Sequence, residues 1–191
     1  AYIDKAKSEG MKAIAFTEHG AVLHNIVKRQ ACEKAGIKYI NAEEFYVTEK
    51  IEEGNLVRDN YHCILIAKNY EGVKELNYLS SQSFNRNDGH FYYNPRITLE
   101  ELENTSDNIF VLTACVAGML CKGTAEVQER FLKFIIKNKD RCWLEIQPHN
   151  FDLQIKYNQY LYGISQKYDL KLIATSDIHA ISKDHMNGRA V

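Results

Sequence analysis

The stretch Leu172-Ile173-Ala174-Thr175-Ser176-Asp177-Ile178-His179-Ala180 joins an apolar run to an Asp-x-His pair. The run reads as a buried parallel strand, and α/β folds gather their chemistry at the carboxyl ends of such strands. In extended chain, side chains two positions apart project from the same side. Asp177 and His179 would then offer a hard oxygen donor and an imidazole to one cavity, a pairing suited to a divalent metal. The plainer reading is a strand followed by a polar turn, with Asp177 capping the next helix.

Side chains of the same chemical kind recur at comparable places. His19, Glu44, Cys115 and His149 each follow an expected strand, and His62 stands at the start of one. Each has an ordinary explanation when taken singly. His19 could begin a turn before Gly20, Glu44 could be a solvated charge beside Glu43, and His62 could be a satisfied core histidine. Cys115 among small residues is often a small buried hydrophobe, His149 after Pro148 an exposed turn residue, and Tyr92, Tyr93 and Arg96 mere surface. Their joint placement argues for more. Four of the seven histidines fall at strand boundaries, whereas His24, His90 and His185 fall in expected helix or loop. Imidazole, carboxylate and thiolate together suit zinc, manganese or iron better than calcium. Two or more such ions would acidify a bound water and clamp phosphoryl oxygens, which makes phosphoester hydrolysis the matching reaction. No Gly-rich phosphate loop, Gly-x-Ser-x-Gly elbow or dinucleotide fingerprint competes.

The elements that must position these groups alternate along the chain. A helix is expected from Ala1 to Gly10, a strand over Met11–Phe16 and a helix over Ala21–Ala35 stopped by Gly36. A strand over Ile37–Ala42 then runs into Glu43 and Glu44, and a charged loop covers Glu49 to Asn60. Tyr61–Ala67 is the clearest short strand, followed by a helix near Tyr70–Ser81 and a long exposed loop over Ser83–Pro95. Thr98 and Glu101 form a capping-box pattern before a short helix. Strands over Asn108–Leu112 and Trp143–Gln147 alternate with helices over Glu126–Lys139 and Leu153–Tyr168. Six strand–helix alternations without a second core signal or a flexible linker predict one α/β domain on a mainly parallel sheet.

Composition sets outer limits. The chain has 191 residues, 45% hydrophobic and 26% charged, enough to fill one large core. Its formal net charge of -1 supplies no overall positive field, so contact with DNA would have to be local or made by a neighbouring domain. No apolar run approaches the roughly 20 residues of a membrane span, and no signal peptide is visible. Five cysteines at irregular spacing, with no Cys-x-x-Cys pair, speak against a disulfide framework or a zinc finger and favour a reducing cytoplasm. The opening Ala1-Tyr2-Ile3-Asp4 already reads as the inside of a helix, so an upstream segment is expected.

Seven blocks occur in the order found in one family: Thr17-Glu18-His19-Gly20, Glu44-Phe45-Tyr46-Val47, His62 to Asn69, Phe91 to Ile97, Thr113 to Gly118, Leu144 to His149 and Ala174 to His179. By these the chain resembles the polymerase and histidinol phosphatase (PHP) domain at the amino end of bacterial C-family replicative polymerases, the alpha subunit of DNA polymerase III. The likeness covers nearly all of residues 1–191, taken as a single domain. It implies a distorted seven-stranded β/α barrel with up to three divalent ions (zinc, manganese or iron) at the carboxyl ends of its strands. His19, Glu44, His62, Cys115, Asp177 and His179 match ligand positions, with His19, Asp177 and His179 expected at the catalytic centre. His149 matches a lining position that ligates or touches phosphate. Arg96 is the candidate phosphate contact, and Tyr92 or Tyr93 the candidate to stack on a base.

Two departures stand out. The family opens with a strand bearing His-x-His that nothing here matches, and Glu18 and Ala42 stand where Asp and Gly are usual. The implied activity is metal-dependent 3′→5′ exonuclease proofreading within a DNA-directed DNA polymerase. Its partners would be a DNA 3′ end, the rest of the alpha subunit and a proofreading subunit, with no membrane. The alternatives are a module that braces the polymerase or binds a proofreading partner, and a free-standing phosphatase of histidinol-phosphatase type.

Overall fold

A computed structural model describes residues 1–52 and 56–188; residues 53–55 of the expected charged loop lie outside it. Along the chain run α1 (Tyr2–Ser8), β1 (Ala13–Phe16), α2 (Asn25–Ala35), β2 (Lys38–Thr48), β3 (Tyr61–Ala67), α3 (Tyr70–Ser83), β4 (Phe91–Tyr92) and β5 (Asn94–Thr98). They are followed by α4 (Leu99–Glu103), β6 (Ile109–Leu112), α5 (Met119–Lys122), α6 (Ala125–Lys137), β7 (Cys142–Ile146), α7 (Asp152–Tyr168), β8 (Lys171–Ala174) and α8 (Lys183–Gly188).

Local chemistry explains most boundaries. The Asn69 side chain accepts the Gly72 N–H and starts α3, and Thr98 and Glu101 cap α4 reciprocally. α2 ends on Gly36 at φ 74°, a left-handed position that costs glycine little. In α6, Val127, Phe131, Phe134 and Ile135 recur at helical spacing, and all four are buried.

β2 organises the sheet. Its first half pairs in parallel with β1, from Ala13↔Lys38 to Phe16↔Asn41, and its last residues pair in parallel with β5. The opposite edge of β2 runs antiparallel to β3, which in turn runs antiparallel to β6. β6, β7 and β8 are parallel. The sheet is therefore mixed but mainly parallel, since β1, β2, β5, β6, β7 and β8 share one direction and β3 and β4 run against it. Its strands curl into a half-barrel, a distorted form of the β/α barrel, with helices packed outside.

Side-chain alternation gives this sheet two unlike faces. The convex face meets the helices in the main core, which includes Phe45, Leu65, Leu76, Phe131, Leu144 and Leu161. The concave face holds a smaller cluster of Ile64, Leu112 and Ala114, with Ile66, Trp143 and Ile173 against it. Burying a Leu or Phe is worth roughly 1.5–3 kcal/mol each, so the convex layer carries most of the stabilisation. Beyond its small apolar cluster, the concave face carries polar groups.

Three expectations are corrected. β2 continues to Thr48, so Glu43 and Glu44 lie inside the strand, where pairing with β3 satisfies their backbone. The loop expected over Ser83–Pro95 is shorter, since α3 reaches Ser83 and a tight β4–β5 hairpin turns at Tyr93, φ 62°. Asp177 adopts φ 44° beyond the end of β8, so Asp177 and His179 are related by a turn and not by strand alternation. Among the described residues no helix is long and apolar enough to cross a membrane.

Candidate metal centre

Glu44 is buried on the concave face of β2. His62 faces Tyr46 across the β2–β3 ladder, which puts its ring on the same side as the Glu44 carboxylate. Because β3 runs antiparallel, its first residues lie level with the far ends of its parallel neighbours. That direction brings a histidine from the start of a strand to the same rim as groups that follow β1 and β6.

His19 arrives from the turn after β1. The Gly20 N–H donates to the Glu44 carbonyl (2.8 Å) and the Glu44 N–H to the Glu18 carbonyl (3.1 Å), so the turn is stitched to β2 beside its carboxylate. Gly20 has φ 67°, and a Cβ there would stand 2.8 Å from Pro95 Cγ, so the turn accepts only glycine without rearrangement. Cys115 is held by the turn after β6. The His62 N–H donates to the Ala117 carbonyl (3.1 Å), and the Gly118 N–H to the Cys115 carbonyl (2.8 Å).

The donors converge. His62 Nδ1 lies 2.8 Å from Glu44 Oε1 and His19 Nε2 3.5 Å from Glu44 Oε2. Cys115 Sγ lies 3.6 Å from His62 Nδ1 and 4.0 Å from Glu44 Oε1. Ligand atoms of His19, Glu44 and His62 all fall within 4.8 Å of one another. Burial works against a charged His62, yet hydrogen bonds to Cys115 and Glu44 outweigh it and lift its pKa to about 9. Nitrogen, oxygen and sulfur donors in one concave place fit a divalent cation.

The loop after β8 adds a fifth and a sixth group, Asp177 and His179. The His19 and His179 rings have centroids 5.7 Å apart. His179 Nδ1 lies 2.8 Å from the Asp177 carbonyl and 3.5 Å from Asp177 Oδ1, so the pair acts as a unit. The Tyr2 hydroxyl donates to the His179 carbonyl (3.1 Å), tying α1 to this loop.

A sequence profile of the PHP domain matches residues 1–149. The chain belongs to the PHP domain family. It is 34% identical to the DNA polymerase III subunit alpha of Aquifex aeolicus over 95% of its length and 32% identical to that of Borreliella burgdorferi over 95%. The PHP chain spans only 17% and 16% of those relatives. Its fold is shared by an amidohydrolase from Chromobacterium violaceum with bound sulfate, at TM-score 0.58 and 12% identity, covering 96% of this chain and 82% of that one. A metal-dependent phosphoesterase from Bifidobacterium adolescentis, described as putative, gives the same TM-score and coverage at 13% identity.

Not every expected residue joins the PHP site. His149 stands outside the three-donor group, its ring stacked on Phe151 at 6.3 Å. Arg96 is corrected from phosphate contact to structural tie. It is 1% exposed, and its guanidinium donates to the carbonyls of Val57, Asp59, Gly89 and His90 and to Asp59 Oδ1. Tyr92 lies against Tyr93 at 4.8 Å in the hairpin, and Tyr93 is 61% exposed with the Arg58 guanidinium 3.9 Å from its ring centroid.

Sequence reasoning overlooked two acids. Glu145 lies on β7, 1% exposed, with Thr175 Oγ1 and Gln147 Nε2 on its Oε1. Burial raises its pKa, the Thr175 and Gln147 hydrogen bonds resist, and the charges of Glu44 and Asp177 push it further up. Glu43 points to the convex side and is fully buried with neither carboxylate oxygen hydrogen-bonded. Burial pushes its pKa to about 8. The available signal was an acid inside an apolar strand, as in Cys142-Trp143-Leu144-Glu145-Ile146.

Proposed function

We propose that residues 1–191 form one metal-dependent phosphoesterase domain that removes nucleotides from DNA 3′ ends, as the proofreading exonuclease of a DNA-directed DNA polymerase of the polymerase III alpha kind. The observation that carries this reading is the convergence of Glu44 from within β2 with His19, His62 and Cys115 from the ends of β1, β3 and β6. The names of the relatives support the polymerase setting. The phosphoester chemistry is the one that the donor set suits.

Divalent ions bound here would acidify a water and neutralise phosphoryl charge. His19, Glu44, His62, Cys115 and the Asp177–His179 pair would hold them. Because the Asp177 carbonyl accepts from His179 Nδ1, the ring's lone pair stays on Nε2, the nitrogen that then ligates or moves a proton at the scissile phosphate. His19, beside Glu44 at the rim, would lie next to a phosphate bound there and steady its departing 3′ oxygen. Tyr46 packs against both imidazoles, with ring centroids 5.2 Å from His62 and 6.0 Å from His19, and would hold them in place. The exposed Tyr93 face, flanked by Arg58, is the place for the terminal base to stack, with Tyr92 bracing it. His149 lines the approach to the phosphate.

The proposed partners are a DNA 3′ end, the remainder of an alpha subunit and a proofreading subunit, all in the cytoplasm. One observation favours a bracing role beside catalysis. The N-terminal half of α2 exposes Ile26 and Val27 by 60% and 62%, an apolar face that a larger protein would cover.

Elemental analysis combined with digestion of a mismatched 3′ end in manganese or zinc tests the reading. Bound metal with shortening of the mismatched strand is expected. Metal-free protein and intact DNA would leave the bracing role alone.

A further inference from the structure

The concave face carries a carboxylate that the ligand set above does not use. Glu145 faces Ile173 across the β7–β8 ladder and lies two residues from Trp143 on the same face of β7, and both of those side chains pack in the concave cluster. Its carboxylate therefore lies on the same side of the sheet as Glu44.

Two ties fix its place between halves of the centre. The Glu145 N–H donates to Thr113 Oγ1 (2.9 Å), two residues before Cys115. Thr175, two residues before Asp177, donates its hydroxyl to Glu145 Oε1 (2.5 Å), and the Gln147 amide donates to the same oxygen (3.1 Å). Both loops that deliver ligands after β6 and β8 are thus anchored on this one residue.

Its other oxygen is the anomaly. Glu145 Oε2 is buried without a hydrogen-bond partner, and among the described residues no Lys, Arg or His forms an ion pair with Glu145. Leaving a buried carboxylate oxygen bare costs on the order of 1–3 kcal/mol or more. Glutamine would keep the contact with Thr175 without a charge, so a carboxylate at this position asks for a cation.

We propose that Glu145 is a further ligand of the centre, its Oε2 holding a divalent cation on the side that faces Asp177. The inference rests on reading the centre as a metal site. Glu43 is the internal control: it too is buried and bare, but it pairs with Leu65 and so lies on the convex side.

Calorimetric titration of the metal-free chain with Mn²⁺, read together with the metal content after dialysis, tests the assignment. Wild type and Glu43→Gln are expected to bind the same number of ions with the same affinity. Glu145→Gln should lose one equivalent or bind at least tenfold more weakly, and Glu145→Asp, which keeps the charge but withdraws it, should fall between. Circular dichroism confirms that each variant is folded before titration. Full stoichiometry and unchanged affinity in Glu145→Gln would overturn the assignment and give Oε2 a proton in place of a cation. A wild type that takes up no Mn²⁺ would instead remove the metal reading itself, and this inference with it.

Discussion

Glu43 and Glu44 are neighbours in the chain and occupy opposite faces of the same strand. Glu44 looks into the concave side, where His19 and His62 meet its two oxygens. Glu43 looks into the convex side, where neither oxygen finds a hydrogen bond. Both are buried. Burial alone therefore does not make a site here, and the difference lies in what the sheet's curvature brings to each face. The concave side gathers donors from the ends of β1, β3 and β6 around Glu44 within β2, while the convex side gathers aliphatic and aromatic side chains from the helices. One face is built to hold charge and the other to exclude it.

This contrast is open to attack from both sides. The largest effect belongs to the convex layer: Phe131→Ala, fully buried between α6 and the sheet, should cost about 3–5 kcal/mol in urea unfolding. Folded Phe131→Ala protein should still bind metal like wild type, and a parallel loss of both would blur the two faces. Removing the Arg96 guanidinium by Arg96→Ala strands its carbonyl partners and Asp59, at a similar cost of about 3–5 kcal/mol. DNA affinity of the folded fraction should be unchanged, in contrast to what a phosphate contact would give.

The next effect is a pH dependence. The Glu43 carboxyl is lifted to about 8 when folded, so the unfolded chain ionises first. The stability it contributes is complete below the ordinary carboxylate pKa and is lost as pH rises toward about 8, at up to about 1.4 kcal/mol per pH unit. Glu43→Gln should flatten this slope in denaturant melts at pH 5 to 8, and an unaltered slope would show that Glu43 is not the buried acid responsible. The smallest change concerns the rim. Tyr93→Ala should weaken single-stranded DNA binding by about 1–3 kcal/mol in fluorescence anisotropy while leaving Mn²⁺ binding intact.

Much of this arrangement was legible in the chain. β3 matches its expected bounds of Tyr61–Ala67, and the Thr98–Glu101 capping box is present in full. Both depend on local patterns of a few residues. What depended on strand direction was not legible. His62 looked misplaced at the start of a strand until β3 proved antiparallel, because direction is set by pairing between distant segments. The Glu43–Glu44 doublet imitated a strand end, since a doublet of acids is usually solvated, whereas here β2 runs on and puts the two on opposite faces. Arg96 sits in an aromatic, basic stretch that reads as a phosphate contact. Its burial depends on the chain near residues 57–59 crossing the chain near residues 89–90, a meeting that no local pattern announces.

The central claim is that the concave face holds a divalent cation through mixed donors that include one thiolate. Zinc-edge X-ray absorption of the zinc-loaded chain measures this most directly. The account predicts a shell of nitrogen and oxygen with one sulfur at about 2.3 Å, the sulfur lost in Cys115→Ser. A shell of oxygen alone, or a sulfur signal that survives Cys115→Ser, would contradict it.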